Sequence, residues 1–149
     1  MSYPDPANIA AAESAIERIR TACPNLQMDY SDTGKAPVDW FFEIPSQPGL
    51  SVPVYINLQD DELHLVISAF WCEWFPCTNP DSAGEFVQAV VGFLCGEIRL
   101  RETLRGGVPV KSELQRLDGS SWKTIASWRT LHLRWISRKS VRVIHNEPA

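Results

Sequence analysis

Apolar positions along the chain change their period several times, and each change marks an element. Ile9, Ala12, Ile16, Ile19 and Cys23 recur at steps of three and four, which draws one apolar stripe along a helix. Asp5 stands where a carboxylate can cap the first turn, Pro6 suits the first helical position, and Pro24 ends the run. Glu13, Glu17, Arg18 and Arg20 take the wet side. The same grammar returns later: Asn79 caps, Pro80 opens, Asp81 and Glu85 sit near the positive end, and Gly96 follows the last turn. Phe86, Val87, Val90, Phe93 and Leu94 supply the buried face of that second helix.

Elsewhere the period is two. Leu26, Met28 and Tyr30 alternate in a short strand, residues 31–37 form a loop punctuated by Gly and Pro, and residues 38–44 make an aromatic-rich strand closed by the turn residues PSQPG. Residues 51–71 predict a hairpin about Asp60-Asp61, with Val52, Val54, Ile56 and Leu58 on one side and Leu63, Leu65 and Ile67 on one side of the return. Pro53 cannot donate to a ladder, so it belongs at an edge or a strand start. After the second helix, EIRLRETL alternates, RGG turns and VPVKSELQRL returns, setting Arg99, Arg101 and Thr103 opposite Ile98, Leu100 and Glu102. DGSS turns once more, and the tail carries two further strands, WRTLHLRWI and VRVIH, around the polar break SRKS.

Hairpins outnumber crossovers in this order, which predicts an α+β fold: one mainly antiparallel, curved sheet of six to eight strands, covered by two principal helices in the order α-β(3–4)-α-β(3–4). A chain of 149 residues fits a single domain over residues 1–149 without a metal or disulfide staple. No run approaches the roughly 18–20 apolar residues of a membrane helix, and the N-terminus lacks the basic start and apolar segment of a secretory signal, so a soluble cytoplasmic protein is expected. Its four cysteines are then expected to be free thiols.

Charge is distributed unevenly. Residues 1–96 hold 3 Lys and Arg against 13 Asp and Glu, whereas residues 97–149 hold 11 against 5. The simpler expectation is that the halves interleave and neutralise each other; the other is two faces of opposite potential.

Chemistry is sparse. In FWCEWFPCTNP, residues 70–80, Cys72 and Cys77 supply only one pair where structural zinc needs four ligands, and their spacing is not that of a redox dithiol. Cys77 lies just ahead of the second helix, whose positive end favours a thiolate, so it is the cysteine to test for reactivity, although an inert thiol is the simpler expectation. Nucleophile turns, phosphate loops, dinucleotide fingerprints and zinc-protease motifs are absent, and His64, His132 and His145 stand singly. Asp60, Asp61 and Glu62 read as a solvated hairpin tip rather than a calcium loop. No catalytic residue, metal or cofactor is expected.

Six tryptophans and eleven C-terminal cations are the residue types that carry interface energy. The expected function is therefore non-enzymatic binding of another protein, as an adaptor, inhibitor, secretion chaperone or toxin-neutralising, immunity-type factor. Trp71, Glu73 and Trp74 form the expected contact patch, and Arg99, Arg101 and Arg134 steer an acidic partner. The order of elements and the acidic pI are broadly similar to those of small secretion chaperones, although no motif is shared and the basic tail departs from them. Two alternatives compete: nucleic-acid binding by the basic, Trp-containing C-terminal half, and a small-molecule pocket lined by Trp40, Phe42 and Tyr55. Edge-strand pairing offers a route to a homodimer.

Overall fold

The computed structural model describes residues 4–30, 38–131 and 136–147. Its elements run α1 (Pro6–Ala22), β1 (Asp29–Tyr30), β2 (Trp40–Ile44), β3 (Val54–Gln59), β4 (Glu62–Ile67), β5 (Phe70–Trp74), α2 (Pro80–Leu94), β6 (Ile98–Arg105), β7 (Val108–Asp118), β8 (Ser121–Arg129) and β9 (Lys139–Ile144). The fold is α+β with antiparallel pairing. No helix among the described residues is long and apolar enough to cross a membrane.

Both helices begin as their sequences dictate. The Asp5 carboxylate accepts from the Ala7 N–H at 2.9 Å, and Asn79 Oδ1 accepts from the Asp81 N–H at 2.8 Å, each with a proline in the first turn. Gly92 lets α2 approach β6 closely, because a β-carbon there would lie 2.5 Å from Ile98 Cδ1.

The strands form two sheets rather than the expected one. The first has the order β1-β2-β3-β4-β5 and the second β8-β7-β6-β9. After β5 the chain leaves into α2 instead of a hairpin, so β5 packs beside β7 and β8 without sharing their ladder. The tail differs too. Alternation over residues 128–136 predicts a strand starting at Trp128; β8 instead begins at Ser121, immediately after the turn at Gly119 (φ 63°), and runs to Arg129, while residues 132–135 of the expected strand lie outside the described residues. Pro53 falls just before β3, where its missing N–H leaves no gap in the ladder.

One core lies between the layers. Phe42, Ile44, Val54, Ile56, Leu58, Leu63, Leu65, Ile67 and Phe70 of the first sheet meet Ile16 and Ile19 of α1 and Phe86, Val90 and Phe93 of α2. Ile98, Leu100, Leu114 and Ile144 join them from the second sheet. Each fully buried large side chain contributes roughly 1.5–3 kcal/mol of transfer free energy.

A polar contact fixes how the two sheets meet. Glu102 on β6 has no exposed surface, yet its carboxylate accepts from the Ala69 N–H at 3.2 Å, in the β4–β5 turn, and from Arg142 Nε on β9 at 2.9 Å. Arg142 also donates from Nη2 to the same carboxylate and, at 3.3 Å, to Ser68 Oγ. Ser68 holds a left-handed backbone (φ 53°), which turns the hairpin tip toward this carboxylate. Arg142→Ala would leave the Glu102 charge buried without its cation. A loss on the order of 2 kcal/mol is expected, less than for a fully enclosed pair because Arg142 itself is about half exposed. Urea unfolding of Arg142→Ala against the neighbouring Ser140→Ala measures it; equal midpoints would remove the role assigned to this pair.

Candidate functional site

Alternation leaves each sheet one dry face and one outward face, and the residues expected to bind fall on both kinds. On the first sheet Phe41, Asn57, His64 and Glu73 form a row across β2, β3, β4 and β5, with Trp71 in the next row opposite Val66. Trp71 is 40% exposed and meets the His64 ring edge-on, with centroids 5.1 Å apart. His64 Nε2 lies 2.9 Å from the Glu62 carboxylate. Trp71 and Glu73 thus share the outward face. Trp74 occupies the opposite parity of β5 and packs edge-on against Phe86 of α2 at 5.6 Å, so the structure does not bring it to them.

The same parity divides the residues suggested for a small-molecule pocket. Trp40 and Phe42 are buried toward α1, stacked with centroids 5.9 Å apart, whereas Tyr55 faces outward against Phe41 at 5.8 Å. Tyr55 pairs with Glu43, one register step from the Phe42–Ile56 pair, and therefore points to the other side of the sheet. These three do not line one cavity.

The second sheet carries Arg99 and Arg101 on its outward face. Arg99 Nε donates to Gln115 Oε1 at 2.9 Å while its guanidinium lies 4.3 Å from the centre of the Trp122 ring; His145 meets the same ring edge-on at 5.2 Å. Arg101 donates to Glu113 at 3.0 Å, with Lys111 3.4 Å from the other carboxylate oxygen. Burial raises the Glu113 pKa, but Arg101, Lys111 and the Thr124 hydroxyl outweigh it and hold the carboxyl below its ordinary range. Val141, Val143 and Leu117, at 46%, 45% and 48% exposure, open this face to solvent. Sequence reasoning passed over them; the signal was the apolar parity of VRVIH beside a cationic strand. Arg134, the third expected cation, lies outside the described residues, as do His132 and Trp135.

Direct ion pairing does not cross between the two halves. Every ion pair among the described residues joins partners from the same half: Arg20–Glu17 and His64–Glu62 in the first, and Arg101–Glu113, Lys111–Glu113, Lys123–Asp118 and Arg142–Glu102 in the second.

The structure decides between the two readings of Cys77 in favour of the inert thiol. Cys77 is buried, its thiol within 3.4 Å of Asn8 Oδ1, and burial followed by the Asp61 and Asp5 charges raises its pKa. The helix end is therefore outweighed, and Cys77 is not a favoured thiolate. Cys72 is raised by burial as well. Cys23 and Cys95, at the C-terminal ends of α1 and α2, have their sulfurs 3.6 Å apart. Burial, then the contact with Cys95, pushes Cys23 up to about 12 from 9.0.

Native protein at pH 8 is accordingly expected to react slowly with iodoacetamide at Cys23 and Cys77, and rapidly in urea; fast native labelling at Cys77 would restore it as a reactive centre. Folded-state values raised above the unfolded 9.0 also mean that the thiols contribute stability below pH 9 that is lost as pH climbs toward about 12. A falling urea midpoint over that interval, reduced in Cys23→Ser, is the expected result. Comparison with protein-family models, with curated proteins and with solved structures finds no match, so function is read from these two faces alone.

Proposed function

We propose that this chain is a non-enzymatic binding domain that captures an acidic protein on the outward face of its second sheet. The observation that carries the reading is the exposed pair Val141 and Val143 on β9, set in register beside Thr103 and Arg101 of β6. Apolar side chains ringed by cations are what a partner with an acidic rim can cover, and Arg99, Arg101 and Lys111 supply the complementary potential. An adaptor, an inhibitor, a secretion chaperone or a toxin-neutralising factor each works by such capture, and a reducing cytoplasm suits thiols left unbridged. Trp71 and Glu73 belong to the other sheet and lie outside this surface.

Protein is favoured over nucleic acid by how Arg99 is engaged. The Arg99 guanidinium occupies one face of Trp122, where a base would stack. A photo-crosslinking side chain at position 143, in cells producing the full chain, is expected to trap one dominant protein through an acidic segment. Yield should fall with added salt and by about ten-fold or more, roughly 1.4 kcal/mol or greater, in Arg101→Glu. Trapping that is insensitive to salt and to Arg101→Glu would remove the proposal. Saturable binding of a single-stranded oligonucleotide at low salt, lost in the same variant, would replace it with the nucleic-acid reading.

A further inference from the structure

The outward face of the first sheet holds a donor set that protein capture on the second sheet does not use. Glu62 and His64 stand two residues apart on β4 and so project to the same side, and Glu73 on β5 is the register partner of His64. One ligand atom from each of these three lies within 4.8 Å of the others, and His64 Nε2 is 2.9 Å from Glu62 Oε2. Two adjacent ligands about 2.1 Å from a common ion are separated by roughly 3 Å, and opposite ligands by roughly 4.2 Å. The arrangement is therefore within a small glutamate rotation of a coordination sphere, and both glutamates are only half-buried and free to make it.

Two independent features point to a cation. Asn57 pairs with His64 from the other side, on β3, and its Oδ1 is buried without a hydrogen-bond partner. A buried amide oxygen left bare forgoes about 1–3 kcal/mol, and a metal ion is a partner it can accept. The face also lacks counter-charge. Its outward side chains from Phe41 through Glu73 include Glu43, Glu62 and Glu73 and no Lys or Arg, and no ion pair among the described residues engages Glu73. Carboxylates crowded on one face without a cation repel each other.

We propose that Glu62, His64 and Glu73, with Asn57 Oδ1 as a weaker fourth donor, bind a divalent first-row transition metal. One imidazole nitrogen with carboxylate and amide oxygens suits ions from manganese to zinc rather than calcium, which takes oxygen ligands only, or thiolate-seeking copper(I). The largely buried His64, at 7% exposure, is held edge-on by Trp71, which fixes the ring plane and walls one side of the site, while the half-buried glutamates leave an entry from solvent. The contact between Glu62 and His64 holds two of the donors together before an ion arrives.

Calorimetric titration of the full chain with zinc and, separately, manganese tests this, using wild type, Glu73→Gln, Glu62→Gln and Cys23→Ser. The glutamine variants keep shape and remove charge, so they are expected to fold as wild type does. Expected are one ion per chain, affinity about ten-fold weaker or worse in each glutamine variant, no change in Cys23→Ser, and a metal-dependent rise in Tm that is equal in wild type and Cys23→Ser and smaller in the glutamine variants. Absence of saturable heat with either metal would overturn the proposal, as would equal affinity in the glutamine variants or loss of zinc binding in Cys23→Ser alone, which would place the ion on the thiol pair.

Discussion

A fully buried carboxylate sets the relation between the halves of this protein. Glu102 belongs to the second sheet, yet it receives the backbone N–H of Ala69 from a hairpin tip of the first, and Arg142 closes the arrangement from β9. Burying such a charge is unfavourable unless each oxygen is satisfied, which here happens at only one mutual placement of β5, β6 and β9. Apolar packing alone tolerates sliding, since Leu, Ile and Val surfaces complement one another at many offsets. The carboxylate removes that freedom, and with it fixes where the outward faces of both sheets look.

Much of the fold could be read from the chain. Both helices follow from Asp5-Pro6 and Asn79-Pro80 with their apolar stripes, and the β3–β4 hairpin follows from paired alternation about Asp60, which takes the left-handed backbone (φ 53°) that the turn requires. The division into two sheets was not legible, because alternation fixes which side chains are buried and says nothing of which strand borders which. β5 shows this most plainly: alternation sets Phe70, Cys72 and Trp74 on one side, but only the Ser68-Ala69 turn pairs the strand with β4.

The candidate sites were legible only in part, for the same reason. Arg99 and Arg101 announce a cationic side through strict alternation, and they share it in the fold. Trp71 and Trp74 attract notice as neighbours in sequence, but three positions along a strand is an odd step and sends them to opposite sides. Alternation alone sets Glu62 and His64 on one side of β4, but Asn57 and Glu73 come from the neighbouring strands, and register across two hairpins was needed to join them. The two readings of Cys77 stayed open in the sequence for a related cause. Proximity to a helix start is visible in a sequence, whereas the burial and the Asp61 and Asp5 charges that dominate Cys77 arise from tertiary packing.

Ion pairs confined within each half have an electrical consequence at long range. A molecule whose first 96 residues are net acidic and whose remainder is net basic carries a dipole moment that its formal charge of −4 understates. Near a charged surface such a body rotates before it touches, presenting the attracted side in advance of any contact. That torque fades over a screening length of about 10 Å at 0.1 M salt, so the ionic strength of the surroundings would govern orientation at encounter as well as the tightness of the complex that forms.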